Sequence, residues 1–138
     1  MIENKYKKII VSGKRKRAVA KATIKDGSGQ ITINNRNYKT LDFFDKLRIE
    51  EPLRIAHNIL GKTNFDVEIK TQSGGAKGQI EAARLALARA IVKFTNSHEL
   101  EDSYFDYDRT MLVADVRRKE SRKPGDSKAR AKRQKSYR

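Results

Sequence analysis

Phe65-Asp66-Val67-Glu68-Ile69-Lys70-Thr71, a glycine-rich turn from Ser73 to Gly78, and then Ile80, Ala83, Leu87, Ala90, Ile91 and Phe94 at helical spacing make residues 65 to 94 the stretch that decides the fold. The first segment alternates apolar and polar residues without a break, which predicts a strand with one buried face. The last predicts a long amphipathic helix. Its alanines, Ala82, Ala83, Ala86, Ala88 and Ala90, favour helix by propensity and keep one face thin enough to lie against a sheet. This is expected to be the central helix of the core, with Arg84, Arg89 and Lys93 away from the apolar stripe.

Upstream, Ala18, Ala20, Ala22 and Ile24 alternate with Arg17, Val19, Lys21, Thr23 and Lys25, the pattern of a second half-buried strand. Its small buried side chains would let a helix approach closely, and its outer face presents cations. Asp26-Gly27-Ser28-Gly29 reads as a turn and Gln30-Ile31-Thr32-Ile33-Asn34 as a returning strand, so the two are expected to pair as a hairpin, closed by Asn34-Asn35-Arg36-Asn37. Glu51-Pro52 predicts the start of a short helix, with proline at the first helical position, a stripe of Leu53, Ala56, Ile59 and Leu60, and Gly61 as its cap. Strands and helices of this kind predict an α+β domain: a sheet with helices packed against it. The apolar pattern stops at Asp115, so residues 1 to 114 are expected to form the domain and residues 115 to 138 an extended basic tail.

The 138 residues suffice for one domain with one core, and a second domain is not expected. Thirty-two lysines and arginines against 17 acidic residues give a net charge of +15, and the pI is near 10.2. So large an excess calls for a polyanionic partner, and nucleic acid leads. A membrane surface would want an amphipathic basic helix, yet Arg117 to Arg138 contains no leucine, isoleucine, valine or phenylalanine. No run reaches the roughly 20 apolar residues of a membrane span, and Met1 to Ile10 lacks the apolar stretch of a signal peptide, so a cytoplasmic location is expected. The absence of cysteine fits a reducing compartment.

Gly61-Lys62-Thr63 has the ending of a phosphate-binding P-loop, but Ala56 stands where the motif needs its first glycine, and the tripeptide follows a helix instead of opening one. It reads as a cap and a turn. Ser73-Gly74-Gly75-Ala76-Lys77-Gly78-Gln79 does open a helix, whose free N–H groups favour an anion; equally, its glycines serve a tight turn and close packing, and the two readings are compatible. His57 and His98 stand far apart with no cysteine to complete a tetrahedral site, so no metal and no cofactor is expected. Asp102, Asp106, Asp108 and Asp115 match no cation loop and are expected to be solvated or paired with arginines. No nucleophile, base and orienting group stand in a recognisable arrangement, so neither catalysis nor a small-molecule substrate is expected.

Gly13-Lys14-Arg15-Lys16-Arg17 carries four cations and runs into the Arg17 to Lys25 strand, so these side chains are held by structure. Together with Lys21 and Lys77 they form one candidate RNA-binding set. The tail supplies a second: Arg117, Arg118, Lys119, Arg122, Lys123, Lys128, Arg130, Lys132 and Arg133, followed by Lys135, Tyr137 and Arg138. Its eleven cations against Asp115, Glu120 and Asp126 leave a net of +8. Such a segment cannot fold on its own apolar area and is expected to order only on many phosphates. Extended at about 3.3 Å per residue it reaches about 80 Å, several times the roughly 13 Å radius of gyration of a 100-residue domain. A large folded RNA offers clefts of that depth.

Taken in order, Gly13-Lys-Arg-Lys-Arg-Ala-Val-Ala20, Gly27-Ser-Gly-Gln-Ile-Thr-Ile-Asn34, Glu51-Pro-Leu53, Gly74-Gly-Ala-Lys-Gly-Gln79, Ala88-Arg-Ala90, Lys128-Ala-Arg130 and Gln134-Lys-Ser-Tyr-Arg138 resemble the universal small-subunit ribosomal protein nine family over almost the whole chain. The resemblance implies a left-handed β-α-β crossover, against the right-handed default. It implies a place in the head of the small subunit among neighbouring ribosomal proteins, bound to ribosomal RNA. It further implies a tail threading toward the peptidyl site, where Arg138 meets the tRNA backbone. Bacterial members usually end in serine, lysine, arginine; Tyr137 in place of the lysine resembles the archaeal and eukaryotic branch and is suited to stacking or hydrogen bonding.

Overall fold

In a computed structural model that describes residues 8 to 137, five strands form one sheet and three helices pack on one of its faces. Arg138 and all but the last three residues of the Met1 to Ile10 segment lie outside the described residues. The strands are β1 (Ile9–Arg15), β2 (Ala18–Asp26), β3 (Ile31–Ile33), β4 (Arg36–Asn37) and β5 (Phe65–Gln72), in the order β1-β2-β5-β3-β4. The helices are α1 (Phe43–Leu60), α2 (Ala76–Thr95) and α3 (His98–Tyr107).

The β5-turn-α2 unit is as expected. Phe65, Val67 and Ile69 are buried from β5, while α2 buries Ile80, Leu87, Ile91 and its alanines. Ala18, Ala20, Ala22 and Ile24 of β2 are fully buried, and these small side chains let α2 lie across β1 and β2. The approach is closest at Gly13: a Cβ built there would stand 2.4 Å from the Ala82 carbonyl oxygen and 2.8 Å from the Ala86 nitrogen. Lys14, Lys21, Lys25 and Lys70 sit on the opposite, open face, with Lys21 directly across from Lys70.

Three expectations need correction. The strands at 18–26 and 31–33 do not pair with each other, because β5 lies between them, antiparallel to β2 and parallel to β3. Backbone satisfaction decides this: β5 supplies eight partners to β2, whereas β3 has only three residues to offer. The 27–30 segment wraps the end of β5, where the Asp66 carboxylate accepts the Ser28, Gly29 and Gln30 N–H groups at 2.9 to 3.0 Å. The true hairpin of β3 is with β4, through Asn34 and Asn35 at φ 49° and 64°, the left-handed pair that a tight hairpin turn requires.

Second, α1 begins eight residues before Glu51 and is 18 residues long, so Pro52 is interior. An interior proline offers no N–H to the preceding turn, which normally ends a helix. Here the cost is met by tertiary packing: Pro52 is buried, and the Tyr104 hydroxyl of α3 donates to its carbonyl at 2.7 Å. Gly61 does cap the helix, at φ 70°, donating to the His57 carbonyl. Third, the basic run 13–17 does not enter a single strand. Gly13 to Arg15 end β1, and Lys16 and Arg17 make the two-residue turn that leads into β2 at Ala18.

The parallel β3 and β5, joined through α1, supply the β-α-β unit whose left hand the family resemblance implies. Helix α3 was not anticipated, although Ser97 caps it by accepting the Leu100 N–H and Glu99 and Glu101 occupy its first turn. Beyond a 3₁₀ turn at Arg109–Met111, the described residues contain no helix or strand.

Candidate RNA-binding cleft

Alternation along β1 aims Arg15 inward, toward the helices, while Lys14 points to the open face. Arg15 is therefore an interior cation. Its Nε donates to Glu81 of α2 at 2.6 Å and its Nη1 pairs with Asp115. Glu81 also accepts from Arg48 of α1 at 2.8 Å. Partial burial works to raise the Glu81 pKa, but the hydrogen bonds from Arg15 and Arg48 outweigh it and hold the carboxyl below its usual value. Beside this group Arg84 pairs with Glu51 and Asp108 at 2.6 and 3.0 Å. These side chains line a cavity of about 370 Å³ in which acid and base alternate. It fastens α1, α2, β1 and the root of the tail to one another.

The root is fastened twice more. Met111 and Leu112 are buried, and Arg89 donates to the Leu112 carbonyl at 2.7 Å and to the Ser12 carbonyl at 3.1 Å, bolting the chain to β1. Three residues on, Asp115 accepts the side-chain Nε and Nη2 of Arg117 together with its backbone N–H, at 2.7 to 3.2 Å. These bonds from Arg117, with Arg15 adjacent, hold the Asp115 carboxyl well below the usual carboxylate range.

On the other side of Arg15 opens a cleft of about 660 Å³ lined by Arg15, Lys16, Arg17, Arg117, Arg118, Lys119, Gly74 and Gly75. Six cations meet the N-terminus of α2, and none of the described lining residues is acidic. Three segments far apart in sequence converge here. Gly74 makes the convergence possible: at φ 70° it suits the turn, and a Cβ on it would stand 2.8 Å from the Ala18 nitrogen. Lys16 sits at φ 53°, the first hairpin position, where glycine would be least strained; the fold keeps a cation there instead.

The candidate cations thus divide by what holds them. Arg15, Lys77, Arg117 and Arg130 are engaged with Glu81 and Asp115, Asp45, Asp115 and Glu120 respectively. Lys14, Lys16, Arg17, Lys21, Arg118, Lys119, Arg122, Lys123, Lys128, Lys132, Arg133 and Lys135 form no ion pair among the described residues. Lys21 lies on the open sheet face, away from the cleft; Arg122 onward, including Tyr137, belong to the exposed tail or its partly covered turns. Among the described residues no cluster of ligating side chains could hold a metal. Sequence reasoning missed Glu51 and Glu81 as partners that order this region; the arginine pairing expected for the aspartates holds for Asp108 and Asp115.

The family described as ribosomal protein S9/S16 matches residues 13–138. Small ribosomal subunit protein uS9 of Methanococcus vannielii is 45% identical over 129 residues, covering 91% of this chain and 95% of the relative. The protein of the same name from Thermoplasma volcanium is 47% identical over 132 residues, covering 94% and 98%. With matches of this extent, on a fold whose cationic cleft draws Arg15, Lys16, Arg17, Gly74 and Gly75 from two of the motifs that carry the resemblance, the chain belongs to the ribosomal protein S9/S16 family.

Proposed function

We propose that this chain, as a structural and non-catalytic component of the small ribosomal subunit in the cytoplasm, binds small-subunit ribosomal RNA through the cleft and extends its tail toward peptidyl-site tRNA. The observation that carries the reading is the cleft itself: six cations, a helix N-terminus and no acidic lining residue among those described. Lys16, Arg17 and Lys119 form no ion pair among the described residues, Arg118 is held only through one nitrogen by backbone carbonyls, and these four face phosphate, while Arg15 and Arg117 are held by acids. Lys14 and Lys21 add a second contact from the open face, and Lys77 stands at the α2 N-terminus. Phosphate contacts position without reading sequence, so specificity comes from RNA shape.

Residues 1 to 114 act as the RNA-binding domain, flanked by neighbouring proteins of the subunit head. Residues 115 to 138 act as the tail, with Lys135, Tyr137 and Arg138 nearest the tRNA. Neutralising about eight phosphates gives a log-log salt dependence with a slope of order -7 on cognate RNA. Subunits reconstituted with a chain lacking residues 135 to 138 should assemble normally and hold peptidyl-site tRNA more weakly. Equal tRNA retention by truncated and intact subunits, or a shallow salt slope for the whole chain on cognate RNA, refutes the tail's role.

A further inference from the structure

An acid close to an RNA-binding cleft repels what the cleft is for, yet Asp115, which does not itself line the cleft, pairs with Arg15 and Arg117, which do. Val116 is 84% exposed, and from Arg117 onward the tail has no leucine, isoleucine, valine or phenylalanine to dock. The pairs farther along, Arg130 with Glu120 and Arg118 with the carbonyls of residues 115 and 117, stay within the tail. Among the described residues the Arg15–Asp115 pair is therefore the last tether between domain and tail. Leu112, held by Arg89, fixes where the tail leaves the domain. Asp115 fixes the direction in which it leaves, because the same carboxylate grips Arg15 of the hairpin and both the side chain and the backbone of Arg117.

We infer that Asp115 is a positioning residue that aims Arg117, Arg118 and Lys119 across the Lys16-Arg17 turn, so that cations from two ends of the chain face one stretch of RNA backbone. The inference rests on the cleft being an RNA site. Pre-placing three cations spares the ordering cost that each would otherwise meet on binding. That gain exceeds the repulsion of one carboxylate already paired with two guanidiniums.

Electrostatics alone and positioning predict opposite signs, which makes the test sharp. Asp115→Asn raises the net charge by one and, on charge alone, tightens RNA binding. Glu99→Gln makes the same change at an exposed position on α3 and serves as the reference. On purified small-subunit ribosomal RNA, Asp115→Asn is expected to bind about tenfold more weakly than Glu99→Gln, the loss of effective concentration when pre-placed groups are set loose. Asp115→Glu, which keeps the carboxylate, is expected to recover most of the affinity. Equal or tighter binding by Asp115→Asn, or an Asp115→Glu variant as weak as Asp115→Asn, overturns the proposal.

A second readout needs no RNA. The chain has no cysteine, so spin labels at Ser12→Cys and Ser121→Cys report one unambiguous distance. It should be narrowly distributed in the parent and broad with Asp115→Asn; an unchanged distribution overturns the tether. Failure of the parent chain to bind the RNA at low salt would instead remove the function reading and leave the distance result standing.

Discussion

Replacing Gly13 with alanine adds one methyl group where α2 backbone comes closest to the sheet. That carbon would lie 2.4 Å from the Ala82 carbonyl oxygen, where ordinary contact begins near 3.4 Å, so β1 and α2 must separate by about 1 Å. The obstruction is helix backbone, which no rotamer change relieves. Overpacking of this kind costs about 1 to 3 kcal/mol. For a domain of this size each kcal/mol lowers Tm by about 4 to 8 °C, so a fall of about 5 to 20 °C is expected, short of unfolding a domain stable by 5 to 15 kcal/mol. Chemical denaturation followed by circular dichroism measures the loss. A companion variant locates the cause: Ala86→Gly removes the side-chain contact at 3.2 Å but leaves the Ala82 oxygen and Ala86 nitrogen in place, so it should not rescue Gly13→Ala. A Gly13→Ala protein as stable as the parent, or one restored by Ala86→Gly, would show that β1 and α2 are not held in this intimate contact.

Three further outcomes follow from the same geometry. Tyr104→Phe leaves the Pro52 carbonyl without its hydroxyl donor and should cost about 1 to 2 kcal/mol in the same assay, with no loss of fold. Asp66, Glu81, Asp108 and Asp115 all have folded pKa values below their ordinary ones; for Asp66 the leading cause is the Gln30 N–H. Their stabilisation is therefore complete above the unfolded carboxylate range near pH 4 and is lost as pH falls through the lowered folded values, so Tm should be level from about pH 7 to 5 and drop below about pH 4; a level Tm down to about pH 2.5 contradicts the network. Lys16→Ala and Arg17→Ala should each reduce the salt slope of RNA binding by about 1 without changing stability, whereas Arg15→Ala should destabilise the domain by about 1 to 2 kcal/mol, because Glu81 and Asp115 lose their shared partner. The reverse assignment in paired titration and melting experiments would undo the division into free and structural cations.

What could be read from the residues was whatever local periodicity encodes. Val67 and Ile69 alternate with Glu68 and Lys70, and Ile80 to Ile91 recur by turns of helix, so β5 and α2 were legible almost to their ends. Strand partnership was not, because it depends on which strand is long enough to satisfy β2, and proximity in sequence favoured the wrong neighbour. Pro52 misled for a similar reason: its burial and the hydroxyl its carbonyl accepts from Tyr104, 52 residues away, belong to tertiary packing and leave no mark on the local sequence. The cleft was half legible. The hairpin, glycine turn and tail were each recognisable as basic or anion-favouring, but their convergence depends on Gly74 meeting Ala18 and on Asp115 reaching Arg15, contacts that no spacing within one segment reveals.

The distribution of charge is more telling than its total. Asp45, Glu50, Glu51, Glu68, Glu81, Asp108 and Asp115 each pair with a cation, and Asp66 is committed to the backbone of residues 28 to 30. The acids of the domain are thus largely spent inside it, on arginines that would otherwise be costly to half-bury. The surplus of +15 is consequently not spread evenly; among the described residues the cations without an ion pair include the Lys16-Arg17 turn, Lys14 and Lys21 on the outer sheet, and most of the tail. Exposed like charges gathered within about a Debye length, roughly 8 Å at physiological salt, repel one another with little screening. A chain that uses its carboxylates as internal fasteners and leaves such cations bare is stable as a fold while remaining electrostatically incomplete. A phosphate backbone supplies, at the spacing of its own charges, the anions that the sequence has withheld.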